Sequence, residues 1–237
     1  WSQAQMYLEK AHRLLPEHPT LRYDLARCYI DQAAYPKALS LLKTAHQRHS
    51  LDLKSQVLLV SLCMQLKTEI SYAKEALAQL VVAHPVNPQV LVLQGELALR
   101  EGAFETVDAI ARRLMLLPQN AIIEGHWLMG QKFFQMALTP HTPSQQKEIW
   151  LNEAKKSWQW ILERYPTHEP SWESYLVVSL HLVNGQWVHY LRTLEWLIER
   201  YAHQQPEVLH MMKRQAKKAL STFKLDVYGK HIDALGR

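Results

Sequence analysis

The stretch Gln94-Gly95-Glu96-Leu97-Ala98-Leu99-Arg100-Glu101-Gly102-Ala103-Phe104 decides how the chain is read. It reads as a helix that carries the small residues Gly95 and Ala98 where another helix can come close. Gly102 supplies a turn, and Phe104 opens a second helix with Val107, Ala111 and Leu114 on one face. Pro118 then closes the unit.

The spacing of that second helix recurs along the chain. Val107–Ala111–Leu114 is separated by 4 and then 3 residues, and so are Ala38–Leu42–Ala45, Ala73–Leu77–Leu80, Ala154–Trp158–Ile161 and Tyr190–Leu194–Leu197. Such spacing places each triplet on one helical face. The triplets step by 35, 34, 47 and 36 residues. Prolines punctuate the same rhythm, with 33 residues from Pro85 to Pro118 and 40 from Pro166 to Pro206. A period of this length marks stacked helix pairs.

On these residues the chain resembles the tetratricopeptide repeat (TPR) family, whose unit is two antiparallel helices, A and B, in about 34 residues. The other strong match is Leu25, Ala26, Tyr29, Tyr35, Ala38, Leu42 and Ala45. The resemblance implies an all-α fold, a right-handed α-solenoid of about five antiparallel helix pairs. Repeats are expected near 19–50, 52–86, 88–121, 122–167 and 169–203. Residues 1–16 read as an orphan helix B, so an upstream continuation is expected. Departures from the pattern are Ser50 where Pro is usual, a second repeat without its turn glycine, and bulky Tyr190 where Ala is usual.

The long step belongs to an insertion at about 139–150 in the fourth repeat. Its helix A runs from about Ile122 to Leu138, and Pro140 breaks it. Thr142, Pro143 and Gln145 suggest a new start with Thr142 as N-cap, extending helix B backwards through Trp150.

Charge sharpens the picture. Lys+Arg number 27 and Asp+Glu 22, a formal net charge of +5. Residues 206–237 hold seven basic and three acidic residues, hence +4, which leaves +1 for the first 205. This segment reads as a basic amphipathic capping helix over 206–223 with an irregular tail. Its basic surface is Lys213, Arg214, Lys217 and Lys218. A cap is expected rather than contact with a membrane surface or an acidic partner. The nearly neutral body argues against nucleic acid as the partner.

Glycine is scarce, at 7 in 237, which suits short helical connections better than sheets or phosphate loops. No nucleophile elbow, Walker loop, Rossmann glycine pattern or zinc motif is present, so no catalytic residue, cofactor or metal ligand is assigned. His46 and His49 share a face at the end of a helix, where histidine is favoured electrostatically. Cys28 and Cys63 occupy equivalent places in successive A helices and are expected to be reduced and partly buried, since neighbouring helix axes stand too far apart for a disulfide.

The resemblance also implies a concave surface built from A helices. Carried over residue by residue, its groove candidates are Tyr23, Arg27, Gln65, Glu96, Trp127, Gln131, Trp172 and Tyr175. Their aromatic and Arg content suits a protein or peptide partner. The Asn pair of a carboxylate-clamp TPR is missing from these positions. Seven of eight tryptophans follow residue 126, which means either an aromatic C-terminal groove or irregular repeats filled by large side chains. The expected function is a protein–protein interaction module, scaffold or adaptor. The alternatives are a docking region of a larger enzyme and a helical-repeat RNA binder.

Overall fold

The computed structural model describes residues 2–48, 50–66, 69–118, 121–202 and 205–235. Every regular element among them is helical. In chain order they are α1 (Ser2–Leu14), α2 (Pro19–Asp31), α3 (Tyr35–Gln47), α4 (Leu53–Leu66), α5 (Ile70–Ala83), α6 (Pro88–Glu101), α7 (Phe104–Met115), α8 (Ala121–Leu138), α9 (Ser144–Arg164), α10 (Glu169–Leu182), α11 (Trp187–Leu197), α12 (Pro206–Thr222) and α13 (Gly229–Ala234). A π-helical turn, Ile198–Ala202, continues α11, and a 3₁₀ turn, Asp226–Tyr228, precedes α13. The helices follow one another in consecutive pairs, and the architecture is a TPR-like all-α solenoid.

All fifteen residues of the five triplets are at most 5% exposed. The period was therefore the trace of one buried stripe on every B helix. Prolines start helices as well as end them: Pro19, Pro36, Pro170 and Pro206 each sit in a first turn, where no N–H is needed. Asn87 caps α6, its side-chain oxygen accepting from the N–H groups of Gln89 and Val90.

The chain divides into two compact units, 1–100 and 101–237. In the first, α1 packs on α2, α2 on α3, α3 on α4 and α4 on α5. Its core joins Ala26, Leu42, Leu59, Cys63, Ala73 and Leu77 to Val90 and Leu93 of α6. Arg22 is only 2% exposed and ties two connections together. Its guanidinium donates to the carbonyls of Ser50 (2.6 Å) and Pro16 (2.9 Å) and pairs with Glu17 (3.0 Å). The loop that lacks the usual proline is thus held by a side chain.

In the second unit α7 packs on α8, α8 on α9, and α9 on α10. Two glycines permit this. A Cβ at Gly125 would stand 2.8 Å from the Ala111 carbonyl of α7. One at Gly130 would overlap the Trp158 indole of α9. The ring fills the hollow the glycine leaves, while its N–H has no hydrogen-bond partner. Tyr190 is likewise buried without a partner for its hydroxyl, so the position usually held by Ala is filled by a ring at the cost of a desolvated O–H.

Two readings need correction. Thr142 does not cap α9. Its hydroxyl donates to the carbonyls of Met136 and Thr139 behind it, and α9 starts one residue later with Pro143 at the N-cap. The tail is not irregular either. Lys224 takes a left-handed φ of 56°, Leu225 N–H bonds the Leu220 carbonyl, and the chain reverses into α13. There Ile232 is fully buried and Tyr228 stacks on Trp187, ring centres 4.6 Å apart and planes 6° apart. Several helix turns use residues other than glycine. Ala33 (φ 57°) and Asn184 (φ 49°) adopt the same left-handed turn as Lys224, each followed by the same backward N–H bond.

The segment from 206 onward lies inside the second unit. Val208, Met212, Ala216, Ala219 and Leu220 of α12 enter its core. Arg214 pairs with Glu169 and Lys218 with Glu173, so both helices advance four residues together and α12 runs parallel to α10. Successive A helices of a repeat array have that relation, and α12 with α13 continues the stacking.

Two stability outcomes follow from this packing. Gly130→Ala forces a methyl into the Trp158 ring and is expected to cost about 1–3 kcal/mol in urea unfolding. Met212→Ala is expected to cost about 2–5 kcal/mol, whereas Lys218→Ala, which removes an exposed pair, costs under about 1 kcal/mol. Equal losses for Met212→Ala and Lys218→Ala would contradict the role of α12 as core.

Candidate interaction surfaces

The first unit carries the clearest predicted site. Tyr23 and Arg27 lie one turn apart on α2, with Tyr23 half-buried and Arg27 exposed. Together with Ala4, Leu8, Asp24, Cys28 and Asp31 they line a depression of about 430 Å³ between α1 and α2. Its charged lining is one arginine and two aspartates. Gln65 is exposed on α4 and Glu96 is half-buried on α6.

In the second unit the expectations divide. Trp127 and Gln131 are half-buried on α8. The Trp127 ring leans on Trp158 (6.0 Å between centres) and His168 (6.1 Å), so part of it is packing. Trp172 and Tyr175 are corrected outright as exposed groove residues. Both are buried. The Trp172 N–H donates to the Pro166 carbonyl (2.7 Å), and the ring meets Tyr201 edge-on. Lys155 lies 5.2 Å over the Tyr175 ring, and burial pushes the Tyr175 hydroxyl well above its usual pKa. A Trp at this place was read as an anchor because helical periodicity does not say which of two apolar faces meets a neighbour.

The other tryptophans follow the same rule. Trp158 is core, and Trp150, Trp160 and Trp187 pack against it part-buried. Trp196 remains 44% exposed.

The basic surface of α12 is already engaged. Lys213 donates to the Asp233 carbonyl (3.0 Å), Lys217 pairs with the Asp233 carboxylate (2.6 Å), Lys218 pairs with Glu173 (2.7 Å), and Arg214 pairs with Glu169 (2.5 Å). Each charge faces an acid or carbonyl of α10 or α13, which suits a cap better than a surface awaiting a partner. No helix among the described residues is long and apolar enough to cross a membrane.

Among the described residues no three His, Cys, Asp or Glu side chains converge as metal ligands would. His46 instead shares a 2.7 Å hydrogen bond with the Tyr72 hydroxyl; His49 lies outside the described residues. Both cysteines are buried and unbridged.

One repeated signal was missed in the sequence. Trp160-Ile161-Leu162-Glu163-Arg164-Tyr165 returns as Trp196-Leu197-Ile198-Glu199-Arg200-Tyr201, 36 residues later at the end of the next B helix. The buried triplets share only Ile161 and Leu197 with these two copies.

Residues 1–50 match the sequence model of the tetratricopeptide repeat family. A solved tetratricopeptide repeat protein from Parabacteroides merdae has the same fold, with a TM-score of 0.63 and 13% identity. The match covers 99% of this chain and 86% of that one. No curated protein matches the sequence. Residues 1–50 are thus similar to a tetratricopeptide repeat, and the chain shares the fold of a protein built from such repeats. Repeats of this kind are generally protein–protein interaction modules and typically non-catalytic scaffolds.

The thiols give a direct check on the packing. Burial pushes the Cys63 thiol up to about 11, so its reactive thiolate is scarce at pH 8. The native protein should react slowly with a thiol reagent at pH 8, and both cysteines should titrate in denaturant. Rapid native labelling of Cys63 would contradict the buried placement.

Proposed function

We propose that the chain docks a protein or peptide partner on the A-helix surface of its first unit. The observation that carries this reading is the depression where Tyr23 and Arg27 meet α1. An aromatic ring and a guanidinium one turn apart form a pair typical of binding anchors, because they bury area with little loss of side-chain freedom. Leu8, Ala4 and Cys28 supply an apolar lining, and Asp24 and Asp31 favour a peptide bearing a cation. Gln65 on α4 and Glu96 on α6 extend the same surface with polar groups that set register. Trp127 and Gln131 offer the corresponding A-helix surface on the second unit. A lining of one cation and two carboxylates repels phosphate, which favours a protein partner over RNA. The mechanism is a preformed, rigid surface, so binding requires little ordering of the repeat domain.

The test is affinity capture with the tagged full chain against Tyr23→Ala/Arg27→Ala, with helicity and melting checked for both. Loss of the captured partner by a folded double variant is expected. Undiminished recovery would refute the placement of the site on α2.

A further inference from the structure

We infer that the second unit carries a separate carboxylate-binding cleft at the ends of its B helices, and that its ligand is an acidic peptide segment. The cleft, about 700 Å³, is lined by Glu163, Arg164, Pro166, Arg200, Tyr201 and Gln205. It is built by the two copies of the Trp-x-x-Glu-Arg-Tyr hexapeptide, one ending α9 and the other ending α11.

Each copy lays its arginine against a tryptophan. The Arg164 guanidinium lies 4.1 Å from the Trp160 ring centre, and that of Arg200 lies 5.5 Å from Trp196. His126 stacks on Trp160 at 3.8 Å. Burial, and then Arg164, hold the His126 pKa below its usual value, so this ring adds no charge at neutral pH. A guanidinium resting on an indole keeps its edge N–H donors pointing outward and loses little freedom on binding.

The site already holds a carboxylate, and holds it loosely. Glu163 stands 3.4 Å from Arg200, 3.9 Å from Arg164 and 3.5 Å from the Tyr201 hydroxyl. Among the described residues, Gln159 reaches it at a good hydrogen-bond distance, 3.0 Å. Both guanidiniums are half-exposed, at 49% and 50%. One acid is therefore shared between two cations at distances beyond strong charge-assisted bonding; Arg164 also donates to the Trp160 carbonyl (3.3 Å) and Arg200 bonds the Tyr201 hydroxyl, and the half-exposed guanidiniums keep further donors facing solvent.

The backbone is shaped to the same end. Arg200 and Tyr201 sit on the π-helical turn Ile198–Ala202, a rare geometry that recurs at functional sites. The Tyr201 ring is anchored edge-on against Trp172. Trp196, 44% exposed beside Arg200, provides an apolar face next to the charge. A planar carboxylate flanked by an apolar side chain fits this arrangement, and the lining's net charge of +1 favours it. Its chemistry is opposite to that of the depression on α2, so the two surfaces select different segments.

The test uses a short fluorescein-labelled Glu/Leu peptide, titrated into the full chain by anisotropy. A Gln/Leu peptide and a phosphoserine/Leu peptide serve as comparison arms. Saturable binding of the Glu/Leu peptide is expected. Arg164→Gln/Arg200→Gln should weaken it at least about tenfold, since it removes both charge-assisted donors. Glu163→Gln should tighten it, because it releases both guanidiniums while keeping a side chain that Gln159 can bond. A merely structural ion pair would not give opposite signs from its two partners. Absence of saturable binding, equal binding of the Gln/Leu peptide, preference for the phosphoserine peptide, or weakening by a folded Glu163→Gln would each overturn the proposal.

Discussion

The fold depends on how closely two helix backbones can approach. Stacked helix pairs bury their apolar stripes only if a small residue stands wherever backbones draw near. In the first unit that role falls to alanine: Ala26, Ala38 and Ala73 are sealed from solvent, with leucines following Ala38 and Ala73 on the same face. In the second it falls partly to glycine. At Gly125 the neighbouring Ala111 carbonyl occupies the space a methyl would need, and at Gly130 an indole does so. Of seven glycines in the chain, two are thus committed to close packing rather than to turns. Gly102 and Gly185 serve turns, and other turns place Ala33, Asn184 and Lys224 in the left-handed region, which for ordinary residues costs roughly 1–2 kcal/mol each. That cost is offset where the backward N–H bond satisfies a helix-end carbonyl.

The aromatic skew of the second unit follows from the same constraint. Small residues on one helix leave hollows, and hollows must be filled to interior density. Trp158 fills the one beside Gly130, Trp172 packs edge-on against Tyr201, and Tyr190 replaces the usual alanine of its helix. Size has a polar consequence. The Trp158 N–H and Tyr190 hydroxyl are buried without partners, whereas the Trp172 N–H finds the Pro166 carbonyl. Of the tryptophans that stay partly outside, Trp160 and Trp196 carry arginines.

Much of this was legible in the sequence, because buried stripes impose a period. The five triplets, the proline-marked connections and the insertion before α9 all fell where a one-dimensional pattern put them. What periodicity could not give was the choice between two apolar directions on an A helix. Trp172 and Tyr175 share their helix with surface positions, and only the packing of α10 between α9 and α12 turns them inward. Nor could composition show that the basic residues of α12 were matched. Glu169 and Glu173 lie some 45 residues away from Arg214 and Lys218, and they become neighbours because α12 repeats the direction of α10. The tail was misread for the opposite reason. Its turn uses Lys224, a residue with no turn signature, and its anchors Tyr228 and Ile232 are isolated apolar positions rather than a stripe.

This bears on what the charge of +5 means. The concentration of cations after residue 205 suggested a basic end, but four of those cations face acids or a carbonyl supplied by α10 and α13. Exposed pairs of this kind add little stability. They do fix which face of α12 meets solvent, and they withdraw its positive field from the surroundings. Arg164 and Arg200 contribute less to the net charge, yet they hold a single acid at long range, one resting on the part-buried Trp160 and the other on the exposed Trp196. The capacity to attract an anionic partner is therefore set by how few acids a cation meets, not by how many cations a segment contains.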